Sequence, residues 1–352
     1  MIRRTLGNML RAPSTGGEEA AAAGAAMAVE PKPASPAHDA ALGRQMGYCF
    51  VTGAQKSGTT WVGWMLREHP EIKVRGEAGY VGNASDATTW INEEALDGFL
   101  EQPSPKRLLG ELAREDLLAA AQRGMVESML RLSCKPDAQT RVLGDRAPQA
   151  YCEGVEALHR LFPDAVYVNV VRDGRDVAVS NAFMMLRNRK WNAKSYGSME
   201  AGEAAHAAHI EQDGSAAGVP LLGDGMLRHY ATRWVRCIEA GRRAQELFGD
   251  RCVTLRYERL LEDPTGPVRR LFETLGVASD DATVAACVKA SSFESKSGGR
   301  KRGEHDAGSF VRKGIAGDWK QYFGDREREI FNKRAGQMLI DEGYEASMEW
   351  TP

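Results

Sequence analysis

The chain reads as an α/β protein, a central parallel sheet flanked by helices, in a single domain behind a disordered N-terminal tail. Three observations predict this. The apolar runs Tyr48–Thr52 and Ala165–Val171 are near-continuous, as strands covered on both faces require. The first run passes through the glycine loop Gly53–Gly58 into a segment whose Val62, Met65, Leu66 and His69 recur at helical spacing until Pro70. Segments of helical period then fall between shorter strand candidates, which is how a layered α/β domain is written.

Length and composition set the frame. With 352 residues and 43% of them apolar, the chain can bury a substantial core, and one large domain over residues 44–352 accounts for it. Residues 12–43 are rich in Ala, Gly, Pro and Ser, bury too little to offset ordering entropy, and complete a disordered tail over residues 1–43. Its first residues, Met1–Ser14, carry arginines with no acid before Glu18 and faintly resemble an organelle transit peptide.

The net charge of −2 supplies no global field for nucleic acid or an anionic membrane, so an anion site must come from clustered Arg and Lys. No stretch reaches the roughly 18 to 20 apolar residues of a membrane span. The six cysteines are widely spaced without a Cys-x-x-Cys pair and read as reduced core thiols of a cytoplasmic protein.

Between Gly53 and Gly58 lie four residues, and Thr59 and Thr60 then open the helix. Such a loop aims consecutive N–H groups at one spot with a positive helix end behind them, an anion cradle that a phosphate would fit. The spacing copies the phosphate loop of nucleotide hydrolases with one change: Thr59 follows the second glycine, and the lysine sits inside the loop as Lys56. That displacement predicts a different anion, handled without metal.

Taken in order, Ile72–Val74 is a short strand, and Glu77 follows its end, where open α/β sheets place their chemistry. Residues 92–131 read as helical, with Leu112, Leu117 and Leu118 among charges, and as part of a substrate wall. Thr140–Leu143 reads as a strand ending in Gly144-Asp145-Arg146-Ala147-Pro148, with Pro148 holding Ala147 extended. The run Ala165–Val171 feeds into Arg172, with Ser180 eight positions on. Asp173 and Asp176 read as helix caps and arginine partners rather than metal ligands.

Residues 187–225 turn polar and are read as an insertion or lid over the acceptor. Its His206 and His209 share a helix face, with no acid or cysteine nearby to complete a metal site. Leu227, Ala231, Trp234 and Ile238 form a core stripe. Cys252–Tyr257 is a strand, Val268 to Leu275 a packing helix stopped by Gly276, Glu294–Gly308 a mobile loop, and Asp325–Gly343 a closing helix.

The string Gln55-Lys56-Ser57-Gly58-Thr59-Thr60-Trp61 resembles the 5′-phosphosulfate loop of sulfotransferases that use 3′-phosphoadenosine 5′-phosphosulfate (PAPS), in which proline is usual at the place of Gln55. Arg172 and Ser180 resemble their 3′-phosphate clamp, and Tyr257 their Tyr-Glu-x-Leu-x-x-Asp-Pro element near adenine. Ser291 and Phe293 resemble the purine-flanking Thr/Ser-x-Phe. Arg312-Lys313-Gly314 followed by Gly317-Asp318-Trp319 resembles the closing Arg-Lys-Gly-x-x-Gly-Asp-Trp signature. The strings keep the family's order, so the resemblance spans about residues 44–345.

The resemblance implies sulfuryl transfer from PAPS to a hydroxyl or amine acceptor, leaving 3′,5′-phosphoadenosine (PAP), with no metal. Lys56, the loop N–H groups, Thr59 and Thr60 would stabilise the leaving oxygen, and Trp61 would pack on adenine. Arg172, Ser180, Arg312 and Lys313 would read the 3′-phosphate. Glycan and tyrosine sulfotransferases carry a glutamate base after the second strand, which points to Glu77. The Asp145–Arg146 pair resembles the glycan enzymes' Asp/Glu-Lys-x-Pro element, giving Asp145 as second candidate base and Arg146 as helper. Phenol-type relatives place a histidine where Arg146 stands, and a guanidinium cannot serve as base. The expected acceptor is therefore a carbohydrate or other small-molecule alcohol. A nucleotide kinase on the same scaffold and a catalytically silent PAP-binding or anion-binding protein are the alternatives. No nucleic-acid partner or membrane span is expected, and homodimerisation is left open.

Overall fold

The computed structural model describes residues 45–82, 93–102, 114–212 and 218–351; the expected tail lies outside them. Five parallel strands form one sheet: β1 (Gly47–Gly53), β2 (Ile72–Val74), β3 (Val142–Arg146), β4 (Val166–Val171) and β5 (Cys252–Arg256), in the spatial order β2-β3-β1-β4-β5. Strand β1 is central and buried from Tyr48 to Gly53. Its residues alternate between two cores. Tyr48 and Phe50 pack with Tyr151, Phe162 and Tyr167 on one face, and Cys49 and Val51 with Val62, Leu66 and Val168 on the other. That is the period of two that a doubly covered strand imposes.

Chain order reverses at β1, since β3 joins one side and β4 the other. In such sheets the crevice beyond the strand carboxyl ends is where ligands bind. The helices α1 (Thr59–Glu68), α2 (Arg114–Cys134), α3 (Pro148–Glu153), α4 (Gly174–Arg187), α5 (Asp224–Phe248), α6 (Tyr257–Glu262) and α7 (Asp325–Asp341) surround the sheet. The α5 stripe Leu227, Ala231, Trp234 and Ile238 is buried as expected, and all six cysteines are buried and free.

Several expectations need correction. Strand β3 begins at Val142 and runs through Asp145 and Arg146, so that pair lies within the strand and not beyond it. The long helix expected from residue 92 is a short helix, Glu93–Leu100, and α2, with 103–113 outside the described residues. Helix α2 buries Val126 and Leu130 in the core, and no described α2 residue lines the main cleft, so it builds no substrate wall there. The segment 187–225, expected as an insertion or lid, is anchored to the body: Ala205, Ala208, Leu221 and Leu222 are buried against α4 and α5, although 213–217 lie outside the described residues. Nor is 294–308 a bare loop. Phe293–Ser297 is helical, and Arg300 donates to the carbonyls of Val311 and Arg312, replacing the absent apolar contacts with hydrogen bonds.

Candidate active site

Strand β1 ends at Gly53, whose φ of +138° suits only glycine; a Cβ there would lie 2.3 Å from the Val170 carbonyl oxygen. The loop closes through Ser57 N–H donating to Ala54 O at 3.0 Å and enters α1 through Gly58. Gly58, with φ of +106°, lies against the ring of Tyr257, 2.6 Å from where its Cβ would be. The N–H groups of Gly58, Thr59 and Thr60, at the start of α1, donate to no acceptor among the described residues. Those are the donors an anion would satisfy.

A cavity of about 330 Å³ opens over this loop. Gln55, Lys56, Gly58, Thr59, Thr60 and Trp61 line it from the loop and α1, and Arg172, Ser180 and Tyr257 from the tips of β4 and β5 and from α4. Arg312, Lys313 and Gly314 form its roof; Glu77 and Arg146 form the opposite wall. Residues 250 positions apart in sequence thus share one cleft. Ser57, Asp145, Ser291 and Phe293 do not line it. Ser57 is buried beneath the loop, and Ser291 donates its hydroxyl to Cys287 O at 2.7 Å. Phe293 backs Gly314, where a Cβ would lie 2.3 Å from its ring.

Lys56 adopts φ of +74° and Glu77 φ of +65°. Such backbone is costly for residues with a Cβ, and both sit in the cleft. Burial first, then the charges of Arg187, Arg172 and Arg312, pushes the Lys56 ammonium down to about 8. Its Nζ rests over the exposed Phe310 ring, 4.7 Å from the centroid. Arg172 is held by the carbonyls of Lys56 and Ile315, at 3.3 and 2.9 Å, and lies over Tyr257. Its Nε, the Nε and Nη1 of Arg312, and the Ser57 hydroxyl are buried without a hydrogen-bond partner. Buried donors of this kind are rare unless something answers them.

Acidic groups position the cations. Asp173 caps α4 through Arg175 N–H at 2.9 Å and binds the Arg175 guanidinium. Asp176 pairs with Arg172 at 3.4 Å and accepts from Gly317 N–H and Trp319 N–H at 2.8 and 3.0 Å, tying the closing signature to α4. Asp318, buried, binds both Arg312 and Lys313. On the far wall Glu77 N–H donates to Arg146 O at 2.6 Å, and Arg146 Nη2 meets Glu77 Oε1 at 3.2 Å. The Glu77 side chain is 72% exposed. Arg146 is threaded between two glycines; a Cβ on Gly63 would come 3.0 Å from its Cδ, and one on Gly76 2.9 Å from Nη2. Asp145 is fully buried, its Oδ2 accepting from Tyr151 hydroxyl at 2.6 Å and Gly79 N–H at 3.0 Å.

Sequence reasoning missed Trp64, Arg187 and Phe310. Trp64 and Phe310 stand edge to face at 6.3 Å in the cleft wall. Trp64 falls three positions after Trp61, on the same helix face, which was the available signal. His206 stacks on Trp191, and His209 bonds Val219 O at 2.9 Å, so both are packing residues. Among the described residues no group of three or more His, Cys, Asp or Glu side chains is arranged to hold a metal ion.

A parallel sheet whose reversal point carries this loop and this ring of cations defines a class of sulfuryl- or phosphoryl-handling α/β proteins. Within it, the model described as "Sulfotransferase family" matches residues 49–281, and the chain belongs to that family. Nodulation protein NoeE of Sinorhizobium fredii is 24% identical over 246 residues, 65% of this chain and 49% of that protein. Protein-tyrosine sulfotransferase A of Caenorhabditis elegans is 24% identical over 251 residues, 69% and 53% of the two chains. The chain spans about half the length of these curated relatives. Among solved structures, mouse sulfotransferase SULT7A1 complexed with PAP superposes with a TM-score of 0.45 at 15% identity, over 86% of each chain. No helix among the described residues is long and apolar enough to cross a membrane.

Proposed function

We propose that the protein transfers a sulfuryl group from PAPS to an acceptor hydroxyl, releasing PAP. The observation that carries this reading is the meeting of Lys56, Arg172, Arg187 and Arg312 around buried donors that have no partner in the protein. Asp176 and Asp318 offset Arg172 and Arg312, whereas Lys56 and Arg187 form no ion pair among the described residues, so a bound anion would complete the charge balance of the group. In this reading the donor's two anionic ends meet different residues. The loop N–H groups with Lys56 suit the 5′ end of the nucleotide. Ser180, Arg172, Arg312 and Lys313 suit a ribose 3′-phosphate, which ATP lacks. Trp61 and Tyr257, 5.7 Å apart and edge to face, flank the remaining space for adenine.

In the proposed reaction the donor supplies an activated sulfuryl group, and the bond that breaks joins it to the 5′-phosphate oxygen. Lys56, the N–H groups of Gly58, Thr59 and Thr60, and the Thr hydroxyls stabilise the negative charge that grows on that oxygen. Glu77 takes the proton of the attacking hydroxyl; its carboxylate faces the cleft and is oriented by Arg146. Arg146 also faces the sulfuryl oxygens. Asp145, with one oxygen already accepting two hydrogen bonds and no access to the cleft, positions Gly79 and Tyr151 behind the base.

The test uses the purified full chain. PAP without magnesium is expected to raise the melting temperature and ATP is not; labelled PAPS offered with a panel of hydroxyl acceptors is expected to give a sulfated product by mass spectrometry. A melting temperature unmoved by PAP would overturn the donor assignment. PAP binding with no product from any sugar, alcohol, phenol or amine would leave a silent binding protein instead.

A further inference from the structure

Two more cavities continue from the cleft along α3 and α5. The first, about 440 Å³, is lined by Gln55 and Gln149, which also line the cleft, and by Asn181, Lys194, Tyr230 and Arg233. The next, about 430 Å³, shares Gln149, His229 and Arg233 with it and adds Arg228, Arg236 and, from α7, Arg334. Gln149 therefore borders all three spaces, which lie in succession leading away from Lys56 and are together called the track.

The lining of the track is cationic, and among the described residues its one acidic member is Glu153. Arg233 meets Glu153 at 3.5 Å and Arg228 meets Asp224 at 3.6 Å, whereas Lys194, Arg236 and Arg334 form no ion pair among the described residues. A second observation comes from Asn181, only 1% exposed. Its Nδ2 donates to Gln55 O and Val177 O, both at 2.9 Å, which fixes the amide and leaves Oδ1 buried with no donor. The fixed amide makes Asn181 a rigid part of the cavity wall.

We propose that this track seats the remainder of an acidic oligosaccharide acceptor whose reacting hydroxyl lies beside Glu77. The inference rests on the sulfuryl-transfer reading and names its substrate class. Ring hydroxyls meet Gln149 and Tyr230, while carboxylates or existing sulfates on successive rings meet Lys194, Arg236 and Arg334. Trp64 and Phe310 offer apolar faces at the reacting end, as a sugar ring requires.

The experiment measures binding without donor. Labelled hexagalacturonate and labelled maltohexaose are titrated into the full chain by fluorescence anisotropy at low and at moderate salt. The double variant Arg236→Ala, Arg334→Ala is compared, because both residues are exposed and lie outside the proposed chemistry. The acidic hexamer is expected to bind more tightly than the neutral one, to weaken as salt rises, and to lose about fivefold in the double variant. Maltohexaose affinity and the PAP-induced melting shift should not change. Equal affinity for the two hexamers, or an acidic hexamer indifferent to the double substitution, overturns the proposal. So does tighter, arginine-dependent binding of an acidic tyrosine peptide. If PAP fails to stabilise the wild-type protein, the donor reading falls, while the hexamer titration still judges the track on its own.

Discussion

The two halves of the cleft are held by different means. On the donor side three backbone N–H groups and the side chains around them are fixed by glycines with no room for a side chain: Gly53 against Val170, Gly58 against Tyr257 and Gly314 against Phe293. On the acceptor side the groups are side chains, and their placement depends on one ion pair, Arg146 with Glu77, whose carboxylate is mostly exposed. A site that must recognise one donor is built from parts that cannot be exchanged. A site that selects among acceptors is built from parts that substitution can retune. Four measurements break or sharpen that contrast.

The largest effect is expected at the loop. Lys56→Ala should lower the transfer rate by about a thousandfold, the loss typical of a removed transition-state charge partner, while PAP still stabilises the protein. Full transfer activity in that variant would remove the role given to the lysine. Next comes Glu77→Gln, with a fall in kcat of about a hundredfold and an unchanged KM for PAPS, read from initial rates at saturating acceptor. A change confined to KM would mean that Glu77 binds and does not abstract a proton.

Arg312→Ala should weaken PAP by about tenfold to a hundredfold, with kcat nearly intact at saturating donor, because it removes charge-assisted hydrogen bonds far from the bond that breaks. Isothermal titration separates this from misfolding if the affinity falls while the melting temperature of the free protein holds. The smallest effect is a pH dependence. In the free protein Lys56 loses its proton near pH 8, and a bound anion favours the charged form and raises its pKa. Binding therefore takes up a proton above about pH 8, and PAP affinity should fall by up to about tenfold per unit as pH rises beyond it. A flat profile from pH 7 to 9 in the wild type would contradict the buried, crowded setting of the ammonium.

Much of the donor side was legible in the sequence, because its geometry is written in local strings. A strand followed by glycines, a lysine and two threonines fixes a loop wherever it occurs. The acceptor side was not. Gly144 reads as the end of a strand, yet it pairs with Cys49 inside β3, and it is glycine because a Cβ there would come 2.5 Å from both the carbonyl and the thiol of Cys49. Only the sheet reveals that close approach, and missing it shifted Asp145 and Arg146 out of β3. Arg187 and Phe310 could not be foreseen either, since they reach Lys56 from a helix end and a loop more than a hundred residues away. Asp318 was visible as part of a signature, but its service as counter-ion to both Arg312 and Lys313 depends on a turn that spacing does not specify.

The clasp that Asp176 makes on Gly317 and Trp319 reaches beyond recognition. Together with the Arg300 bonds to Val311 and Arg312, it pins the ceiling Phe310–Ile315 at both ends. In the proposed reaction those two fastenings hold Arg312 and Lys313 over the nucleotide from opposite ends of one short segment, so loosening either would disturb both cations together.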